Sequence, residues 1–596
     1  MVRAPVSGAA PSGLLGRCGP PRMSTTRPRL GATDQVGDDR DVNSRKVRIV
    51  ALAASVLVAT PLLAGCGEEG GPASTAEAPD GGLRVVAADE VAPVVVLGSS
   101  DPAELTLTAS QAFFASAPVV ILADAEDETA QAAAAAAALP LHAPVLLTGG
   151  AIADSGLTKE IARLGAVTAV VVTPDPAPRV DASGTAGTSG AAVSSVSSSE
   201  DLEEEARKTV RAIDPDLQTV LLGAGALVET QDGGTEIDDR DLAEVQEQLP
   251  ETESPRLLTE VLALVDQTPG QATALATAQA AGVVPLAVPG GDPRASSVSV
   301  QAMAQAKALA VVGIGESFGT VEQLTARVRS AETGVELTGG GQLVTAGKRY
   351  VVLPGTTVPA TPAKITDAVA RTAARAEPYV AVAGESGETD KTVTVPTLEL
   401  VVTEASGAAG KDGNYSTELT VEAVRPAVEA ALGAGQHVLL EFQPGKATFV
   451  EQVRQYADLL SLPGVGVSLD LDARRASGAV KKDGVVPAQE IDAVVDYLAG
   501  VVEGKALPQK MLVVHVSQPG ALTEAQSLTT TDDAVAVVLH SDVTGSSAVR
   551  EKAWNELTKA VPGVSWWGWT DVAGEATAGP AAAAGGVGAP LVVVVE

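Results

Sequence analysis

Two cysteines in 596 residues, Cys18 and Cys66, are too few for a disulfide framework. Aromatic residues make up only 2% of the chain, which excludes an aromatic-rich sandwich. The interior must instead be built from Ala, Val, Leu and Ile, as in helices and buried parallel strands. Positive charge is also short: 41 Lys and Arg face 74 Asp and Glu, for a formal net charge of -33. That balance argues against nucleic acid as a partner and against electrostatic attraction to an anionic polymer. There are four histidines, His142, His437, His515 and His540, with no His-x-His or His-Glu-x-x-His spacing. No metal or cofactor is therefore expected, although His515, His540, Asp470 and Asp542 are the side chains a metal would draw on.

What is present begins with an apolar run from Ile49 to Leu63, preceded by Arg45, Lys46 and Arg48. A basic head, a short apolar stretch and small residues at its end read as a secretory signal. The run is shorter than the ~20 residues needed to cross a bilayer. Its end, Leu63-Ala64-Gly65-Cys66, resembles the lipobox of bacterial lipoproteins. The resemblance implies cleavage before Cys66, a palmitate-type lipid on that cysteine, and anchoring to the extracytoplasmic face of the membrane. Residues 1–44 then form an N-terminal extension without structure, residues 45–66 the signal and lipobox, and residues 67–90 a Gly/Ala/Glu/Pro-rich tether.

From Pro93 the pattern changes to short valine-rich runs separated by helical stretches, the signature of a parallel α/β sheet. The run Ala143-Pro144-Val145-Leu146-Leu147-Thr148-Gly149-Gly150 lines up with Val284-Pro285-Leu286-Ala287-Val288-Pro289-Gly290-Gly291. At the same offset Ala169-Val170-Val171 falls on Ala310-Val311-Val312, so a duplicated unit is expected. Residues 91–179 and 201–345 are read as two Rossmann-like α/β repeat units, joined by a Ser/Gly-rich linker over residues 180–200. The stretches Ala143–Thr148, Arg163–Ala166, Val311–Glu316 and Val321–Val328 resemble the type 2 cell-wall-binding repeat of surface proteins. That resemblance implies a cell-wall polysaccharide or other envelope polymer as partner. Members typically carry three copies, whereas two are visible in this chain.

Over residues 346–596 eight strand candidates alternate with amphipathic helices, which predicts a (β/α)8 barrel lacking its last helix. Late strand positions carry polar side chains at a period of two. They are Glu441 and Gln443, then Ser468, Asp470 and Asp472. His515 and Ser517, His540 and Asp542, and Trp567, Trp569 and Asp571 follow. All fall at the carboxyl ends of their strands, where barrel enzymes place their chemistry. His437 begins its strand and is expected to be structural.

The stretches Asp412–Ser416, Phe442–Gly445, Leu507–Lys510, Leu539–Asp542 and Trp567–Trp569 resemble an uncharacterised barrel domain of actinobacterial surface proteins. This implies architecture and compartment, with no reaction attached. Two functions follow. One is a membrane-anchored lipoprotein that binds or organises envelope polymers through the repeats and a polar barrel groove. The other is a glycoside hydrolase with Glu441 and Asp470 as its carboxylate pair, and Asp472 or Asp542 as substitutes. In the second, His540 carries protons and Gln443, His515, Trp567, Trp569 and Asp571 bind the substrate.

Overall fold

The computed structural model describes residues 83–84, 86–87, 92–174, 199–230, 234–253, 258–384, 392–475, 484–572 and 589–596. The N-terminal extension, the signal, Cys66, most of the tether and nearly all of the 180–200 linker lie outside the described residues; the described part of the tether, Leu83–Arg84 and Val86–Ala87, pairs with Thr252–Glu253 and Phe114–Ser116. Among the described residues no helix is long and apolar enough to cross a membrane.

Two four-stranded parallel sheets precede the barrel. One has the order Val145–Thr148, Val119–Asp124, Thr168–Thr173, Gln218–Gly223. The other runs Val284–Ala287, Val261–Val265, Ala310–Ile314, Val94–Leu97. Both follow one pattern, and in each the fourth strand comes from the other segment of chain. Val94–Leu97 leaves its sequence neighbours and pairs with Ala310–Ile314. Gln218–Gly223 pairs with Thr168–Thr173. This exchange ties the segments through one continuous apolar core. Helices Glu128–Leu141 and Ala272–Ala280 pack in that core through alanines, whose small side chains let backbones approach closely. Thr106 and Thr273 share a buried hydroxyl hydrogen bond of 2.7 Å, so the polar atoms there are satisfied.

The barrel strands are β1 Lys348–Thr357, β2 Val393–Ala405, β3 His437–Phe442, β4 Val465–Asp470, β5 Lys510–Val516, β6 Val535–Ser541, β7 Trp566–Asp571 and β8 Val592–Val595. All neighbours are parallel, and β1 pairs with both β8 and β2, which closes the ring. Each strand reads as a valine-rich run because both its faces are buried. Residues of one parity face inward: Tyr350, Val352, Val395, Leu439, Met511, Val513, Ala536, Val538, Val592 and Val594 make a small inner core. The other parity packs against the helices. Leu337 and Val344, from the chain that arrives from the second sheet, join the inner core at the amino-terminal end of the strands. Gln509 fastens that segment, donating its N–H to the Gln342 carbonyl at 2.9 Å and accepting from Val344 N–H at 3.1 Å.

Phe449 to Leu460 carries apolar residues at helical spacing but does not form a single helix. It divides into Phe449–Val453, a tight turn at Arg454–Tyr456, and Ala457–Leu460. The turn carries Tyr456 into the core, where its hydroxyl donates to the Leu419 carbonyl at 2.6 Å.

Candidate functional site at the carboxyl-end rim

Register decides which polar groups meet. His515 on β5 and His540 on β6 are direct partners across parallel strands. Both continue the inward parity of Val513 and Val538. Their rings stand at 89° to each other, with Nδ1 2.8 Å from Nδ1. His515 Nε2 lies 3.0 Å from Oε1 of Glu399 on β2, and His540 Nε2 lies 2.9 Å from Thr570 Oγ1 on β7. Thr570 in turn donates its hydroxyl proton to the Ser541 carbonyl at 3.0 Å.

The ends of this chain fix its proton positions. A carbonyl only accepts, so the Thr570 hydroxyl is spent as a donor and must accept from His540 Nε2–H. His540 Nδ1 then carries the lone pair, and His515 Nδ1 carries the proton between them. At the other end Glu399 is ionised, and it also accepts the Gly355 N–H at 3.3 Å. His515 Nε2 therefore holds a proton as well, which makes His515 an imidazolium and leaves His540 neutral. Electrostatics agree. Burial alone would lower the His515 pKa, but the charge of Glu399 and its hydrogen bond outweigh burial and push it up to about 10. Burial would raise Glu399, yet His515 holds it below the usual carboxylate range. His540 is driven well below its ordinary value by burial and by the His515 charge.

Glu441 on β3 stands beside this chain, 7% exposed, accepting a 2.8 Å hydrogen bond from Gln443 Nε2. Burial, reinforced by the Glu399 charge, lifts its pKa to about 7, partly opposed by His515. Gln443 also receives Ala405 N–H at 3.4 Å and donates its own N–H to Thr403 Oγ1 at 2.9 Å, so it bridges β2 and β3. On β4 Asp470 accepts the Asp472 N–H at 2.9 Å and caps the turn that follows the strand. Asp472 takes a 2.7 Å hydrogen bond from Ser517, just beyond β5. Asp542, directly after β6, lies half-buried with a carboxylate oxygen in a cluster with His515 and His540. The ligand atoms of these three lie within 4.8 Å of one another. They are the group with metal-binding donors among the described residues.

The rim thus gathers Glu441, Gln443, Asp470, Asp472, His515, His540 and Asp542. The β7 residues do not join it. Trp567, Trp569 and Asp571 were expected to face inward; they face outward to the helices. Trp567 and Trp569 pack on Trp554 at centroid distances of 5.9 and 5.8 Å. Asp571 is fully buried and accepts the Tyr379 hydroxyl at 2.7 Å. The inward residues of β7 are Trp566, Gly568 and Thr570. A methyl at Gly568 would lie 2.9 Å from His540 Cβ and 3.0 Å from its Cα, so glycine there makes room for the histidine.

Glu399 is the residue that reading by late strand positions missed. Its signal was a charged side chain inside the apolar run Leu398-Glu399-Leu400. A register shift between Val401 and Thr403 breaks the alternation just beyond it, so the end of β2 gave no guide to its face.

No family model matches the chain, and no curated protein matches it in sequence. Among solved structures Cwp6 from Clostridium difficile aligns with a TM-score of 0.27 at 10% identity, covering 72% of this chain and 64% of that chain. The chain spans less than two thirds of that neighbour's length.

Proposed function

We propose that this chain is an exported, lipid-anchored envelope protein whose barrel rim acts on a hydroxyl-rich wall glycan by acid–base chemistry, with Glu441 as proton donor. The observation that carries the reading is a buried glutamate set beside the ionised Glu399–His515 pair at the end of the barrel where enzymes place their sites. A glutamate so placed keeps a proton to give, whereas Asp470, one pleat beyond its register partner Ser468, supplies a second carboxylate. Glu441 gives its proton to the leaving oxygen as the glycosidic bond breaks, and water provides the incoming hydroxyl while giving its other proton to the Asp470 carboxylate. The acidic surface favours a neutral polymer over an anionic one. The lipobox-like Leu63–Cys66 supports anchoring, and the two similarly ordered sheets support duplicated wall-binding units.

The test is Glu441→Gln assayed on purified wall glycan. Release of reducing ends should fall by about 100-fold or more. Equal turnover by wild type and variant removes Glu441 from the reaction. A second reading, glycan binding without turnover, is favoured by the engagement of Asp470 as a turn cap. Intact glycan retained by wild type would select it. Separately, Cys66→Ser should move the protein from the membrane fraction to the medium; continued membrane retention would contradict the anchor.

A further inference from the structure

We propose that His515, His540 and Asp542 form a binding site for one divalent cation of the first transition row, zinc in type, at the carboxyl-end rim. The proposal is independent of the glycan reading and stands if that reading fails.

Each histidine has one nitrogen committed outward and the other turned to a shared point. His515 Nε2–H goes to Glu399 and His540 Nε2–H goes to Thr570, at 3.0 and 2.9 Å. Metal-bound histidines are held in this way, with the far N–H given to a carboxylate or another acceptor so that the near nitrogen faces the ion. The two Nδ1 atoms converge at 2.8 Å, with the rings near-perpendicular at 89°. Two nitrogens on one tetrahedral zinc stand about 3.3 Å apart, so an opening of about half an ångström admits the ion. Asp542 adds a carboxylate oxygen within 4.8 Å of a ring nitrogen of each histidine. It sits two residues after His540, at the start of a loop, and its half-exposed side leaves the remaining coordination positions to water.

The elements explain why these three meet. Parallel register sets His515 opposite His540, Gly568 clears the space the His540 ring occupies, and the chain turns at Asp542 after donating its N–H to Val516 O at 3.1 Å. Without metal, one proton lies between the two Nδ1 atoms. Binding exchanges that proton for the ion and releases it to solvent, with no oxidant or reductant involved. Two neutral imidazoles and one carboxylate with open positions suit zinc, cobalt or nickel better than calcium or magnesium, which take oxygen ligands.

The experiment uses the full chain, stripped with chelator and titrated with cobalt(II) chloride, then zinc chloride, by calorimetry and visible absorption. We expect one equivalent of cobalt with the absorption of a four- or five-coordinate ion, displaced by zinc. Asp542→Ala should weaken binding about tenfold or more, and His540→Gln should abolish the spectrum. Asp472→Asn, a rim carboxylate outside the set, should change neither. Absence of the cobalt spectrum, or Asp542→Ala binding with undiminished affinity, would overturn the site. If His540→Gln does not fold by circular dichroism, Asp542→Ala remains decisive, because its side chain is half-exposed and belongs to no core.

Discussion

The barrel buries histidine at each of its two ends, a pair at one and a single ring at the other, and the two ends settle their charge in opposite ways. At the carboxyl end His515 is held charged by Glu399. At the amino end His437 lies edge-on to Tyr350 at 5.1 Å. Its neighbours there are cationic: Lys510 and Lys348, which donate to the Leu462 and Leu343 carbonyls at 2.6 and 2.8 Å. Burial, then the charges of these lysines, lower His437 to about 3. Burial brings Lys510 down to about 7, and Lys348 to about 8 against the pull of Glu336. Where a carboxylate is buried alongside, the ring keeps its proton; where lysines are its neighbours, the ring gives its proton up. One end thereby holds a charged ring beside a neutral one, and the other a neutral ring beneath the chain that arrives from the second sheet.

The comparison breaks most visibly at Glu399. Glu399→Gln leaves a buried imidazolium unpaired and should cost about 3–5 kcal/mol by chemical unfolding. A loss below 1 kcal/mol would mean that the pair is not ionised. At the other end the lowered Lys510 pKa has a definite sign. Between pH 7 and about 10 the unfolded chain binds more protons at this lysine than the folded one, so stability rises with pH across that window. Lys510→Met should remove about 2–4 kcal/mol of that rise. An unchanged slope would show that Lys510 is not the group responsible. Gly568→Ala forces a methyl against His540 and should cost about 1–3 kcal/mol, with loss of the ordered His515–His540 pair in histidine NMR spectra. A neutral effect would place His540 elsewhere. Trp567→Phe should lose about 1 kcal/mol of stability and leave glycan affinity untouched, because its ring packs on Trp554. A drop in affinity with stability intact would return that tryptophan to the site.

All eight barrel strands were legible, because strands buried on both faces read as short valine-rich runs between helices. The rim residues of β3, β5 and β6 were legible because a polar side chain late in such a run has few places to go. The same double burial hid the parity of β7. With tryptophan at positions 566, 567 and 569, either face of Trp566–Asp571 looks aromatic, and only the glycine opposite His540 marks the inward side. The exchange of Val94–Leu97 and Gln218–Gly223 between sheets was hidden for another reason. Local pattern names a strand without naming its partner, and sequence neighbours are the default pairing. Four of the short stretches singled out in the sequence meet in pairs. Gly445 takes φ 60° and packs on the Asn414 and Tyr415 carbonyls, which joins Asp412–Ser416 to Phe442–Gly445 at the rim. Leu539–Asp542 and Trp567–Trp569 are neighbouring strands fitted to one another through Gly568.

The most direct test is nitrogen NMR of histidine-labelled full chain, freed of metal, at pH 8. His515 should show both ring nitrogens protonated and His540 one, with His437 neutral. A neutral His515 that titrates near the ordinary histidine value would contradict the charged chain from Glu399 to Thr570.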